Sequence, residues 1–185
     1  MPRAIVEGSL EFTFSDDWHV VKYDDHRDYR EKIEKLGETK AADFVAVHRP
    51  RSPTLYLIEV KDFRGYRIQN KKRLSDGELA REVGHKVRDT IAGVVGGHQN
   101  GNMEDWGIAV ERLANPNPPI RVVLWLEEDA LPQPAGRAKN QRSVIIDELK
   151  KRLRWLTTKI FVASIQDNSV PGLTPRNLPG AGQNP

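Results

Sequence analysis

The sequence predicts a single α/β domain with a central mixed β-sheet flanked by helices. Three observations carry this expectation: an apolar strand pair over 41–61, further strand-type runs at 120–126 and 159–165, and helical periodicity in the segments between them. A chain of 185 residues can bury a substantial core as one domain, and no internal repeat divides it.

Leu10 to Phe14 and Trp18 to Tyr23 carry β-branched and aromatic residues on either side of Ser15-Asp16-Asp17, the pattern of a hairpin of short strands. Tyr29, Ile33 and Leu36 then recur at helical spacing, and Gly37 stands where such a helix would stop. Ala41 to His48 and Thr54 to Lys61 flank Arg49-Pro50-Arg51-Ser52-Pro53, whose prolines cannot continue a central ladder. These two runs form the predicted central hairpin.

A long helix is expected from Ser75-Asp76 to Gly96, with Leu79, Val83, Val87, Ile91 and Val94 as its buried stripe and Arg81, His85 and Arg88 on the other side. Another is expected over 102–115, ended by Pro116 to Pro119. Ile120 to Leu126 is continuously apolar, as in a strand covered on both faces. Gln141 to Leu156 reads as an amphipathic helix and Lys159 to Ile165 as a last strand. From Asn168 the chain is rich in Pro, Gly and Asn, so a surface-lying or mobile tail over 168–185 is expected beyond a domain spanning 1–167.

The absence of cysteine excludes disulfides, thiol catalysis and cysteine-ligated metals, so any metal must sit on oxygen or imidazole. No apolar run approaches the roughly 20 residues that span a bilayer, and no signal-peptide apolar core is evident. A cytoplasmic protein without membrane contact is the expectation. The formal charge is only +3, so placement matters more than total. Arg64, Arg67, Lys71, Lys72 and Arg73 form one local cluster, which by itself reads as a solvated loop and gains weight as a binding surface from its position directly after Lys61.

With the hairpin turn centred on Arg51, Val47 faces Leu55, Val45 faces Leu57 and Asp43 faces Glu59. Opposed side chains lie about 4.5–5.5 Å apart at Cβ, where two carboxylates repel, and their apolar neighbours raise the cost of both charges. A divalent cation would offset both penalties, and oxygen ligation suits Mg²⁺ or Mn²⁺. Lys61 points to the same side as Glu59 because strand side chains alternate. Two acids and an ammonium around one point suit phosphodiester hydrolysis. The same pattern would arise if these residues emerged at the solvated end of a sheet, with Glu59 and Lys61 as an ordinary ion pair.

Asp43, the spacer 44–58 and then Glu59-Val60-Lys61 at the end of an apolar strand resembles the core motif of the PD-(D/E)XK nuclease superfamily, with Ala42 in place of the naming proline. The order of elements from Trp18 to Ile165 is similar to that superfamily's restriction-endonuclease-like αβββαβ core. The resemblance implies a Mg²⁺- or Mn²⁺-dependent nuclease domain in which Asp43, Glu59 and the Val60 carbonyl bind the ion and Lys61 is the catalytic lysine. It also implies a further acid ahead of the sheet. Asp24 or Asp25 could supply it, or could simply cap a helix; Glu31 and Glu34 lie off the apolar stripe. Nucleic acid, expected to be DNA, would meet Arg64, Arg67, Lys71, Lys72, Arg73, Arg81 and Arg88 through phosphate contacts; Tyr66 would stack on a base or, as surface tyrosines more commonly do, pack on a neighbouring arginine. The alternative is a non-catalytic nucleic-acid-binding module of a repair or defence assembly; a homodimer is also open.

Overall fold

The structure is a computed structural model that describes residues 1–129 and 135–179; the side chains at 67, 68, 71 and 135–140 lie outside that description. It contains β1 (Arg3–Glu7), β2 (Leu10–Phe14), β3 (Trp18–Lys22), β4 (Phe44–His48), β5 (Thr54–Asp62), β6 (Arg121–Glu127), β7 (Ile160–Ala163) and β8 (Leu173–Asn177). The α-helices are α1 (Arg67–Ser75), α2 (Glu78–Gln99), α3 (Met103–Ala114) and α4 (Ala135–Leu153). A five-stranded mixed sheet runs β3-β4-β5-β6-β7, antiparallel through β5 and parallel from β5 to β7. A smaller antiparallel sheet runs β1-β2-β8.

The central hairpin has the register that a turn centred on Arg51 requires: Val45 faces Leu57, Val47 faces Leu55 and Phe44 faces Ile58. Arg51 itself takes φ 60°, the left-handed conformation that reverses the chain. Alternation then divides the core in two. Val45, Val47, Leu55, Leu57, Val122 and Leu124 pack toward the helices, with Val83 and Val87 of α2 and Leu149 of α4 above them. Phe44, Ala46, Tyr56, Ile58, Val123 and Trp125 pack toward the small sheet, where Leu10, Phe12 and Phe14 meet them. β6 is therefore covered on both faces, as its unbroken apolar run predicts.

β2 and β3 do not form the expected hairpin. Leu10, Phe12 and Phe14 give β2 one apolar face, while Glu11 and Thr13 leave the other polar, which suits an outer layer. Trp18 and Val20 look toward the small sheet whereas Val21 and Tyr23 look toward the helices, so β3 must lie in the central layer. Ser15-Asp16-Asp17 carries the chain from one layer to the other. The second layer is sealed by edge-on aromatic contacts, Phe12 with Trp125 at 5.1 Å and with Phe44 at 5.6 Å between centroids.

Three other expectations need correction. The segment after β3 is one π-helical turn, Tyr29–Ile33, followed by 3₁₀ Glu34–Leu36, and Leu36 is 73% exposed instead of completing a buried stripe. The basic stretch from Arg67 is helix α1, not a loop, because Gly77 at φ 75° separates it from α2 and moves the start of the long helix to Glu78. The segment from Asn168 joins the fold: Val170 and Leu173 are buried, and 173–177 pair with β2. The expected tail beyond 179 lies outside the described residues.

Helix α2 is the element that fixes the site. Thr90 Oγ1 accepts the Ala42 amide at 2.8 Å and Asp89 Oδ2 accepts the Lys40 amide at 3.1 Å, so the helix holds the chain entering β4. Gly93 lets it approach the sheet, since a Cβ there would lie 1.8 Å from the Tyr23 hydroxyl. Tyr23 is fully buried and packed against Tyr29 and Trp106, so it cannot yield cheaply. Gly93→Ala is expected to destabilise the domain by about 1–3 kcal/mol, the range for overpacking. Urea denaturation monitored by tryptophan fluorescence measures this, and an unchanged midpoint would contradict the packing described.

Candidate metal and phosphodiester site

Asp43 stands immediately before β4 and is held from three sides. Its carbonyl accepts the Tyr23 amide at 2.8 Å, the preceding amide is bound by Thr90, and its own Oδ2 accepts the Val60 amide at 2.6 Å. The residue is only 5% exposed. Burial, followed by the charge of Glu59, pushes its pKa up to about 8, against the smaller opposing effects of Lys86 and the Val60 amide.

Glu59 extends from β5 on the same helix-facing side and is 1% exposed. Burial raises its pKa, opposed by the charges of Lys61 and Lys86. Both ammonium groups make ion-pair contacts with Oε1, at 2.9 Å from Lys61 and 2.7 Å from Lys86. Oε2 is buried with no hydrogen-bond partner. A carboxylate oxygen in that position is costly unless something else engages it.

Lys61 also meets Glu82 of α2 at 2.8 Å, and Glu82 is held in turn by Arg73 at 2.5 Å. Desolvation would lower the Lys61 pKa, yet Glu59 and Glu82 outweigh it and raise the value above the ordinary lysine range. Lys61 is therefore held as an ammonium donor between two carboxylates. Lys86, four residues beyond Glu82 on the same side of α2, lies 3.9 Å from Asp43 Oδ1.

A second acidic group joins Asp43 from the outer side. One carboxylate oxygen each from Glu7, Asp24 and Asp43 lies within 4.8 Å of the others. Glu7 ends β1 and Asp24 follows β3, so the cluster sits where the two sheets meet. Lys22 bridges this rim, 3.1 Å from Glu7 and 3.9 Å from Asp24. Burial, then the Glu7 charge, pushes the Asp24 pKa up to about 6, and its Oδ1 is buried without a partner.

The structure thus brings together Asp43, Glu59, Lys61 and Asp24, and adds Glu7, Glu82 and Lys86, which the sequence did not single out. Asp25 faces Lys22 and Arg30 at the surface instead. Val60 meets Asp43 through its amide. The donor chemistry fits a hard divalent cation: all-oxygen, strongly acidic, with unpartnered oxygens on Glu59 and Asp24.

The basic residues divide. Arg64 does not face a substrate surface: it chelates Asp62 at 2.8 and 2.5 Å and reaches Asn177 at 2.6 Å and Ser9 at 3.0 Å, locking the small sheet to β5. Arg73 is likewise committed, to Glu82, to Asn70 at 2.9 Å and to the face of Phe63. Arg88 reaches Asp89 at 2.8 Å but remains largely exposed. Lys72, Arg81, His85 and Tyr66 are exposed, and the side chains of Arg67 and Lys71 lie outside the described residues.

No known protein family's sequence profile matches the chain, and no solved structure matches it. A stretch of 117 residues is 28% identical to a cysteine–tRNA ligase of Neisseria meningitidis, covering 49% of this chain and 16% of that enzyme. The chain therefore matches only a small part of that relative. Among the described residues, no helix is long and apolar enough to cross a membrane.

The Asp43 shift has a consequence for stability. Its folded pKa is raised from 3.8 to about 8, so its protonated form stabilises the fold fully below pH 3.8. That contribution fades as pH rises between the two values and is lost above about 8. Without divalent ions, Asp43→Asn is expected to remove much of this slope and to be more stable than wild type at pH 8. Denaturation midpoints from pH 4 to 9 test this; parallel curves for the two proteins would refute the shift.

Proposed function

We propose that the protein is a divalent-metal-dependent phosphodiesterase of the PD-(D/E)XK type that cleaves nucleic acid, with DNA as the substrate class. What carries the reading is one observation: the buried acids Asp43 and Glu59 share the helix-facing side of the hairpin beside Lys61, and Glu59 keeps an unpartnered oxygen. The β-hairpin, helix and parallel-strand order is consistent with that superfamily's core.

In this reading Asp43 would hold Mg²⁺ or Mn²⁺ together with Asp24 and Glu7, whose oxygens lie within 4.8 Å of it and of each other, and Glu59 would face the ion from the inner side of Asp43. A bound ion would supply Lewis-acid polarisation of a phosphoryl oxygen and a lowered pKa for water. The remaining work falls to the chain. Lys61, kept protonated by Glu59 and Glu82, stabilises charge developing on the phosphoryl group or orients water as a donor; it is not a general base. Of the basic residues that the sequence singles out, Lys72, Arg81 and Arg88 are exposed and available for phosphate contacts, which would make binding salt-dependent.

A second reading, a nucleic-acid-binding module without turnover, draws on a specific feature: two lysines already compensate the Glu59 charge without any metal. It fits a subunit of a repair or defence assembly. Incubation with plasmid, linear duplex and single-stranded DNA, and with RNA, separates the two. The nuclease reading expects cleavage with Mg²⁺ or Mn²⁺, loss in EDTA, and a fall of about 100-fold or more for Asp43→Asn, Glu59→Gln or Lys61→Ala with unchanged circular dichroism. Salt-dependent DNA binding without cleavage would favour the module, and activity indifferent to all three substitutions would reject the assigned site.

A further inference from the structure

The two lysines on Glu59 are not equivalent. Lys61 is tied on its far side to Glu82, itself braced by Arg73, so both ends of its contact network are fixed. Among the described residues, the ion contacts of Lys86 are with the site acids, at 2.7 Å from Glu59 and 3.9 Å from Asp43. It also lines, with Asp24, Tyr29, Ala41 and Asp43, a surface depression of about 230 Å³. Its side chain is 16% exposed. One ammonium is built into the framework, and the other rests between the two carboxylates at the edge of open space.

We propose that Lys86 is the resident counter-ion of the acidic site, an ammonium that pairs with Glu59 beside Asp43 in the metal-free protein and swings into the adjoining depression when a divalent cation binds. This rests on the metal-site reading above and extends it. The argument is competitive electrostatics. Glu59 is too buried to be left uncompensated, and of the two ammoniums on it Lys86 is the one that also lies within 4 Å of Asp43. A divalent ion on the same oxygens would be repelled by that ammonium, so each cation weakens the other by the same factor. Lysine suits this exchange, because its long flexible stem can keep the ammonium solvated while it leaves. Lys61 lacks that freedom and stays.

Mn²⁺ titration calorimetry on wild type, Lys86→Met, Asp43→Asn and Lys40→Met tests the inference. Lys86→Met is expected to bind Mn²⁺ more tightly than wild type, by between about 5- and 150-fold, the usual span of site–site coupling. Lys40→Met removes a charge from the same depression and should stay within about twofold of wild type. Equal or weaker Mn²⁺ binding by Lys86→Met, with wild type binding and Asp43→Asn not, overturns the exchange while leaving the metal site standing. Absence of binding by both wild type and Lys86→Met removes the metal-site reading and this inference together. Should Lys86→Met fold poorly, lysine acetylation read by mass spectrometry on the wild-type protein decides. Saturating Mg²⁺ should raise the Lys86 labelling rate several-fold and leave Lys61 slow; an unchanged Lys86 rate overturns the proposal.

Discussion

Asp43 and Glu59 lie on the buried, helix-facing side of a β-hairpin, and their mutual repulsion in a poorly solvated place constrains much of the surrounding structure. Left alone, such a pair would favour protonation or unfolding. The chain answers with a backbone amide from Val60 and two ammonium groups. Those ammoniums come from different elements, Lys61 from β5 and Lys86 from α2, so compensation requires the long helix to dock in one position. Thr90, Asp89 and Gly93 then fix that docking through the chain before β4 and through Tyr23. Charge compensation and helix placement are the same interaction seen from two sides.

The small sheet belongs to this arrangement too. β1 ends at Glu7, which delivers a carboxylate to Asp24 and Asp43, and Lys22 ties the incoming strand to the rim. Arg64 sits on the other side of β5 as a clamp, its guanidinium shared between Asp62, Ser9 and Asn177. A basic residue two positions after the end of the strand that carries Glu59 thus serves the joint between layers. The second layer both covers Phe44, Ile58 and Trp125 and completes the acid cluster.

The central hairpin was legible because its register is overdetermined: a period of two, with apolar residues on both faces and a proline-flanked turn, admits few alternatives. That register puts Glu59 and Lys61 on the side of Leu55 and Leu57, with Asp43 one residue ahead of β4. The β2–β3 relation was misread because a short turn between two strand-like runs looks the same whether the strands pair or change layers. The distinguishing signal was present, since β2 is apolar on one face and β3 on both. Glu82 and Lys86 were overlooked for a different reason. They flank the stripe of Leu79, Val83 and Val87 at helical spacing, and a charged residue there can equally well snorkel to solvent or turn inward. Only knowledge of what the helix packs against decides between these. β8 escaped notice because Leu-Thr-Pro-Arg-Asn has little strand propensity and is fixed by pairing with β2 and by the buried Leu173.

The division of the basic residues bears on how a polyanion could approach. Most of the cations nearest the acids, Lys22, Lys61, Arg64, Arg73 and Lys86, are already engaged by carboxylates, so their charges are largely cancelled at a distance. A net charge of +3 therefore understates how unevenly attraction is distributed. The exposed Lys72, Arg81 and Arg88 lie on α1 and the outer side of α2. A phosphate chain drawn to that side would pass the helix that carries Lys86 before reaching the acids, and its own negative charge would favour any rearrangement that frees an ammonium. In the proposed reading, substrate and divalent ion would then act in the same direction on one side chain, which would link recognition to assembly of the site.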